Sequence, residues 1–195
     1  MFLNSIKEYN GDLIHSRFAY KFFKDRTLPI GNIVAFRAPM NVEAAGMIDS
    51  EDILNADYIY SEDAVNFCWE IPYLDAFGAV AWQRLFNTQI ANILSTKYLK
   101  APIEVDGDDV WVHKEHTQGG ITQTKGKASV SIAKHCNDAV LIHIGINVNA
   151  GKQAPAFAYS TNLTDEQCEA FMRDCIECFY GMTQDIFVAT AKIVV

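Results

Sequence analysis

Two neighbouring segments of the chain have the alternation and the length of β-strands. The first is KGKASVSIA, Lys125–Ala133, and the second is AVLIHIGINV, Ala139–Val148. The short polar stretch HCND between them predicts a tight turn, and therefore an antiparallel pair. One strand opens on two lysines and the other closes on Gly-Ile-Asn, so the pair is either a plain hairpin or the floor of a site.

Other segments also have strand patterns. Turn residues bound each of them, and the Asp-Gly pair at 106–107 tolerates the positive φ of a hairpin turn. The predicted extended segments are Asn32–Arg37, Val65–Ile71, Pro102–Val105, Val110–His113 and Ala156–Ser160.

Three segments have helical patterns. Leu13–Lys24 predicts a short helix, and Asp75 is a suitable N-cap for a long helix to about Lys97. Its predicted apolar stripe is Phe77, Val80, Ala81, Leu85, Ile90, Ile93 and Leu94. Thr164-Asp165-Glu166-Gln167 is a capping box that predicts a helix to about Tyr180, with Gly181 as its C-cap. Together these elements predict an α+β fold, with a mostly antiparallel or mixed sheet and helices packed on one face.

The composition narrows the class of protein. A chain of 195 residues, half of them apolar, predicts a single domain over residues 1–195. A net charge of −8 argues against nucleic acid as a partner. No segment has the roughly 20 apolar residues of a membrane span, which favours a cytoplasmic protein. Cys175 and Cys178 have helical spacing, which favours buried thiols over a redox or metal pair.

The two opening strands resemble the core of biotin and lipoate protein ligases. In those families a lysine opens a strand, a hairpin returns, and the second strand ends in a Gly-x-Gly-Ile-Asn-like sequence; the matching piece here is His143-Ile144-Gly145-Ile146-Asn147. A long helix and a polar hairpin precede the lysine strand in both. The resemblance covers roughly residues 75–148, and it implies the fold shared with class II aminoacyl-tRNA synthetases.

The whole chain also resembles a family named domain of unknown function 366. The residues that carry this likeness are IVAFRAPMNVE, the segment Met47–Asp52, and Gln83-Arg84-Leu85 on the long helix. Membership would place the chain structurally with the ligases and would leave its reaction unassigned.

The ligase resemblance implies several site residues. The matching lysine of a ligase contacts the carbonyl and phosphate of an acyl-adenylate, a role that Lys127, or else Lys125, would fill here. Gly145 would allow close approach of a ligand, and Asn147 would offer a carboxamide. Arg37 would hold a carboxylate or phosphate. The alternatives are exposed lysines at a strand edge, a structural Gly-x-Asn turn, and a salt bridge from Arg37 to an acid.

One part of the ligase pattern is missing. Biotin ligases carry a glycine- and arginine-rich loop for adenylate phosphates, and lipoate ligases carry Arg-Arg followed by three glycines. The corresponding region here, FRAPMNVEAAG, has one arginine and no glycine cluster. This difference argues against ATP and magnesium, which leaves the cofactor unknown.

The segment HKEHTQGG between the hairpin and the lysine strand has two interpretations. It predicts a mobile lid over residues 113–122, with the Gly119-Gly120 pair as hinge and His113 or His116 as general acid or base. Alternatively His113 and His116 bind a metal together with His135, Cys136 or His143, but their spacing is not specific, and we predict no metal site. Cys136 beside His135 could act as a nucleophile, but it lies at the far end of the strands from Lys127.

Two hypotheses for function follow. The first is an acyl or carboxylate ligase or transferase that activates or transfers a small group, with Lys127 stabilising negative charge. The second is a protein that binds a small ligand, non-catalytic or differently catalytic, and has lost the adenylate loop. Both predict a small-molecule ligand, and fold analogy together with edge strands is compatible with a homodimer. The substrate and pathway cannot be read from the sequence.

Overall fold

The computed structural model of the chain describes residues 6–18, 32–55, 57–72, 74–136 and 139–193. Its strands are β1 (Asn32–Val42), β2 (Ile59–Pro72), β3 (Ile103–Asp106), β4 (Asp109–Val112), β5 (His116–Gln118), β6 (Ile121–Gln123), β7 (Gly126–Lys127), β8 (Ser129–Cys136) and β9 (Ala139–Asn149). Its helices are α1 (Ser50–Asn55), α2 (Ala76–Ile93), which continues as a π-helical turn over Leu94–Leu99, and α3 (Asp165–Thr190), with a 3₁₀ turn at Ala44–Gly46.

Four long strands form an antiparallel sheet in the order β1-β2-β9-β8. The two segments of the predicted hairpin are β8 and β9, and their pairing places Val130 opposite Gly145. β9 lies inside the sheet, and every one of its residues except Asn149 is buried. An antiparallel, helix-covered α+β fold is therefore confirmed, although residues 137 and 138 of the predicted turn lie outside the described part.

Helices α2 and α3 cover one face of this large sheet. Trp69 of β2 packs between Trp82, Phe86 and Phe179, and such aromatic contacts add about 0.5–1.5 kcal/mol per pair beyond the area they bury. Branched side chains of β9 such as Ile142 complete this layer.

The N-terminal segment covers part of the other face. Tyr9 forms two backbone hydrogen bonds to the edge strand β1, with Pro39 and Asn41. Its ring is buried, as are Ile14 and Phe18. Only residues 13–18 of the predicted helix Leu13–Lys24 are described, and they form turns up to Phe18. The large sheet is thus covered on both faces, which explains why β2 and β9 are so apolar.

A smaller sheet, β3-β4-β7, contains the predicted hairpin with Gly107 at φ +59° in its turn. The chain leaves this sheet at Lys127 and enters the large sheet at Ser129. Ala128, between them, donates its N–H to the Val110 carbonyl and accepts from the Asn147 N–H. The segment predicted to be extended at residues 156–160 runs beside β7 and bonds to both sides of Lys127.

The predicted N-cap of α2 is confirmed, because Asp75 accepts a hydrogen bond from the Gly78 N–H at 2.7 Å. The predicted apolar stripe is wrong in its first half: Phe77 is 84% exposed, and Val80 and Leu85 are also exposed. The buried face instead includes Gln83 and Asn87.

These two amides explain why that face can be buried. Gln83 donates to Ser131 Oγ on β8 at 2.7 Å, and Asn87 donates to the Asp108 carbonyl at 2.6 Å. Because buried donors with good partners cost little, polar residues can take positions that a hydrophobicity pattern assigns to solvent.

The capping box at Thr164 and Gln167 is present as predicted. The predicted end of α3 is wrong, since the helix continues through Gly181 to Thr190. Its last turns are exposed, Phe187 at 61%. Cys175 is buried and Cys178 half-buried, as the helical spacing predicted. Among the described helices, none is both long and apolar enough to cross a membrane.

Residues 113–122, predicted as a lid, contain a small β-hairpin of β5 and β6. Gly119 and Gly120 both have positive φ, +57° and +79°, as a two-residue hairpin turn requires. Gln118 donates to the Gly151 carbonyl at 2.6 Å, which ties the hairpin to the segment after β9. The two glycines therefore make a turn in this structure.

Candidate ligand pocket

A cavity of about 650 Å³ opens on the face of the large sheet opposite α2 and α3. Its walls come from the N-terminal segment, the chain from β1 through α1 to β2, the β3–β4 turn, strand β8 with the residues just before it, and residues 155–158. Residues of the floor and apolar wall include Tyr9, Met47, Ile48, Val130, Ile132, His143 and Asn147. This volume is within the range of small-molecule sites.

Lys127 enters the pocket where the chain passes from the small sheet to the large one. Its Nζ forms an ion pair with Asp109 Oδ1 at 2.7 Å. Burial raises the pKa of the Asp109 carboxyl, and the hydrogen bond from Lys127 offsets this effect only in part. The lysine therefore lies in this pocket, but with an acid as its partner.

Asn147 lies at the end of β9 on the pocket floor and is 4% exposed. Its Nδ2 faces the Lys127 carbonyl at 3.5 Å, so Oδ1 is turned away from that carbonyl. Within the described residues, Oδ1 has no hydrogen-bond partner although it is buried. A buried acceptor without a partner costs about 1–3 kcal/mol, so a donor from a ligand would stabilise this arrangement.

His143 is the buried titratable group of the floor. Its ring stacks on Tyr9 with centroids 3.6 Å apart, and its Nε2 lies 3.0 Å from Asn66 Oδ1. The Asn66 amide nitrogen donates to the carbonyls of Ala38 and Ala64, so Oδ1 must accept from His143. Nε2 therefore carries the proton and Nδ1 is an acceptor. Burial lowers the pKa of His143 to about 3, which keeps the ring neutral.

Carboxylates line the mouth of the pocket. Asp49, Glu51, Asp52 and Asp57, here called the acidic rim, come from α1 and its flanking residues. Burial raises the pKa of the Asp52 carboxyl, and the nearby charges of Asp49 and Asp57 raise it further. Two more lining acids are paired with cations, Asp108 with Arg84 and Asp109 with Lys127.

Gly145 is required for packing within the large sheet. A Cβ at this position would overlap Met40 Sδ and would lie 3.3 Å from the His143 ring. The close approach predicted for a ligand is thus made by the side chain of Met40, which is fully buried.

Arg37 lies away from the pocket. It is opposite Val65, which packs on the helical face, and its guanidinium binds Asp63 through Nε and Nη2, the shortest contact being 2.6 Å. Its Nη1 binds Asp165 at the start of α3, also at 2.6 Å. The structure thus corresponds to the salt-bridge alternative for Arg37, and the substrate-binding prediction finds no support in this placement.

The remaining predicted residues lie around the small sheet. His113 Nε2 is 2.9 Å from Glu104 Oε2, and Lys125 contacts the same carboxylate and lies over the Trp111 ring. His116 packs edge-on against Tyr159. The described lining of the pocket contains none of these residues, so the structure brings together Lys127 and Asn147 but neither histidine.

The structure also shows the residues of the two alternative sites, the cysteine nucleophile and the metal site. Cys136 is half-buried and packs against the apolar cluster on the pocket face of the large sheet. In the part of the chain that is described, no group of three or more His, Cys, Asp or Glu side chains is arranged to hold a metal ion.

Sequence reasoning missed the roles of Tyr9 and the acidic rim, and it considered His143 only as a metal ligand. A signal for His143 was available, because it is a lone titratable residue in the apolar strand AVLIHIGINV. The residues of the acidic rim are visible in the sequence as a cluster after β1, but the sequence pattern alone does not show that they lie over β8.

The family is decided by a comparison over the whole chain. Residues 1–194 match the family described as Domain of unknown function (DUF366). The chain belongs to this family. No curated protein sequence matches it.

Solved structures place this DUF366 chain in a known fold. A protein of unknown function from Pyrococcus horikoshi is 23% identical, with a TM-score of 0.84 over 100% of this chain and 97% of that chain. A putative lipoate protein ligase from T. acidophilum with bound lipoic acid is 13% identical, with a TM-score of 0.54 over 90% and 84%. Biotin protein ligase from Aquifex aeolicus with biotin and ATP is 14% identical, with a TM-score of 0.53 over 93% and 68%.

These likenesses confirm the predicted fold of biotin and lipoate protein ligases, which is also that of class II aminoacyl-tRNA synthetases. At such identities they concern the fold alone, because one fold hosts many activities.

Proposed function

We propose that this DUF366 protein binds a small molecule in the pocket described above, and that it does so without forming an adenylate. The observation that carries the proposal is Asn147 Oδ1, a buried acceptor without a partner among the described residues, on the floor of a cavity of about 650 Å³. Apolar side chains such as Val130 and Ile132 would contact the body of the ligand.

Two features argue against nucleotide use. The region FRAPMNVEAAG, which corresponds to the phosphate loop of the ligases, forms β1 and a 3₁₀ turn, and Arg37 is bound to Asp63 and Asp165 on the opposite face of the sheet. The acidic rim would repel phosphates at the pocket mouth, and like-charge contacts in an interface cost several kcal/mol.

A second candidate is the predicted enzyme that activates or transfers a small carboxylate or acyl group. The position of Lys127 favours it, because this cation lies in the pocket at the end of β7, two residues before β8 begins. In that reaction Lys127 would stabilise the negative charge that develops on the acyl oxygen, and it would have to exchange Asp109 for the substrate. His113 and His116 take no part in this candidate, because they lie outside the described lining.

A thermal-shift screen with uncharged, cationic and anionic metabolites tests the binding proposal. A pocket ligand should raise the Tm of the wild type and should fail to raise that of Val130→Phe, which fills the cavity. Ile121→Phe, on exposed β6, is the matched control and should behave as the wild type does. If no compound separates Val130→Phe from this control, the binding proposal is overturned.

Pyrophosphate release tests the enzyme. ATP-dependent release with a carboxylate, lost in Lys127→Ala, would establish the second candidate and overturn the first. A homodimer stays a prediction, which sedimentation velocity measures directly.

A further inference from the structure

The charges around the pocket limit which ligands it can accept. Six acidic side chains line the described part of the cavity, whereas Lys127 is the one Lys or Arg in that lining. Asp108 and Asp109 already have cationic partners. The acidic rim of Asp49, Glu51, Asp52 and Asp57 has no Lys or Arg within ion-pair distance in the described chain.

The hydrogen-bonding groups on the pocket floor favour a ligand that donates hydrogen bonds. Among the described residues, Asn147 Oδ1 is a buried acceptor without a partner, and the residue is 4% exposed. His143 adds a second acceptor, Nδ1, because its Nε2 proton is used by Asn66. The strong donor in the lining, the Lys127 ammonium, is held by Asp109 at 2.7 Å. A ligand that offers only acceptors would find the lysine already engaged and would depend on lining hydroxyls, such as that of Ser131, whose oxygen accepts from Gln83.

We infer that the pocket selects a ligand whose polar end is a cation with several N–H donors, that is, an ammonium, amidinium or guanidinium group. The N–H groups would donate to Asn147 Oδ1, and the positive charge would be stabilised by the acidic rim. This inference rests on the proposed function and specifies its ligand class. A bare metal ion fits less well, because within the described residues no three acids or histidines are arranged to share one.

Three isosteric probes separate charge from shape. Benzamidinium, benzamide and benzoate share a ring and a planar head, and they carry charges of about +1, 0 and −1 at neutral pH. NMR titration of the full chain at low salt should give a Kd for benzamidinium about tenfold lower than for benzamide, and no binding of benzoate. The difference should shrink as salt is added, because the rim is partly exposed.

Matched variants locate the effect. Asp52→Asn should reduce the preference for benzamidinium over benzamide about threefold or more, whereas Glu104→Gln, which removes one acid outside the pocket, should leave it unchanged. Asn147→Ala should weaken both benzamidinium and benzamide about tenfold, since each donates an N–H to Oδ1. Thermal unfolding of each variant checks that it is folded. If Asn147→Ala does not fold, Asp52→Asn still tests the inference.

The outcomes separate this inference from the proposed function. If the three heads bind equally, or benzoate binds best, and Val130→Phe abolishes binding, the pocket binds small molecules but the inference on charge is overturned. The inference on charge is also overturned if none of the three probes binds while other molecules do bind at this pocket. If Val130→Phe changes neither the binding of the three probes nor that of any compound in the wider screen, both proposals are overturned.

Discussion

Lys127 Nζ lies 2.7 Å from Asp109 Oδ1 within the small sheet, between the neighbouring strands β7 and β4, with the lysine side chain 28% exposed and the aspartate 26%. Removing the cation would leave a carboxylate in a partly buried place with less compensation. We therefore expect Lys127→Ala to lower the free energy of unfolding by about 1–2 kcal/mol, measured by urea denaturation.

The matched control is Lys125→Ala, two residues earlier. Lys125 is more exposed and contacts Glu104 at 3.5 Å, so its loss should cost less than about 0.5 kcal/mol. The double variant Lys127→Ala/Asp109→Ala should be more stable than the two separate losses imply. Equal effects of the two lysine variants would mean that the Lys127–Asp109 pair contributes no more to stability than the exposed contact of Lys125 with Glu104.

Arg37 is expected to act on stability and not on ligand binding. Its planar guanidinium binds Asp63 and Asp165 together, which Lys cannot reproduce, so Arg37→Lys should cost about 1–2 kcal/mol of unfolding free energy. Lys97→Ala, which removes the more exposed ion pair with Asp174, should cost less than about 1 kcal/mol. The affinity for a pocket ligand should be unchanged in Arg37→Lys; a large loss of affinity would return Arg37 to the site.

The contrast between Arg37 and Lys127 shows what could be read from the sequence. Both were chosen because a cation at a strand end can hold an anion. The pairing of β1 with β2 places Arg37 opposite Val65 and on the same face. Only the packing of α2 and α3 decides which face of the sheet is covered, and this depends on contacts between distant segments.

Local signals were reliable where local chemistry decides the structure. The Asp75 N-cap, the Thr164 capping box and the Asp-Gly hairpin turn each satisfy backbone groups within a few residues. The buried face of α2 was predicted wrongly because Gln83 and Asn87 find partners far along the chain. The acidic rim could not be predicted as part of a site for the same reason, because it lies near β8 only in the folded chain.

His143 should make stability depend on pH. Its pKa is lowered to about 3 by burial, whereas an unfolded histidine titrates near its ordinary value of about 6.5. Between these values the unfolded state binds the extra proton, so the free energy of unfolding falls as the pH falls below about 6.5. From pH 7.5 to 5.5, the wild type should lose about 1 kcal/mol more than His143→Gln, which cannot titrate. Urea denaturation at the two pH values measures the difference, and exposed His135→Gln should retain the wild-type dependence.

Gly145 and Gly181 should respond in opposite directions to the same substitution. A methyl group at Gly145 would overlap Met40 Sδ inside the sheet, so Gly145→Ala should lower the free energy of unfolding by about 1–3 kcal/mol. Gly181 lies within α3 with no atom within 4 Å of an added Cβ among the described residues, and Gly181→Ala should raise stability by about 0.5–1 kcal/mol, because alanine favours a helix interior. Thermal and urea unfolding of both variants measure this. A neutral Gly145→Ala would mean that Met40 moves aside at no cost, whereas a destabilised Gly181→Ala would place the end of α3 near Tyr180, as the sequence first suggested.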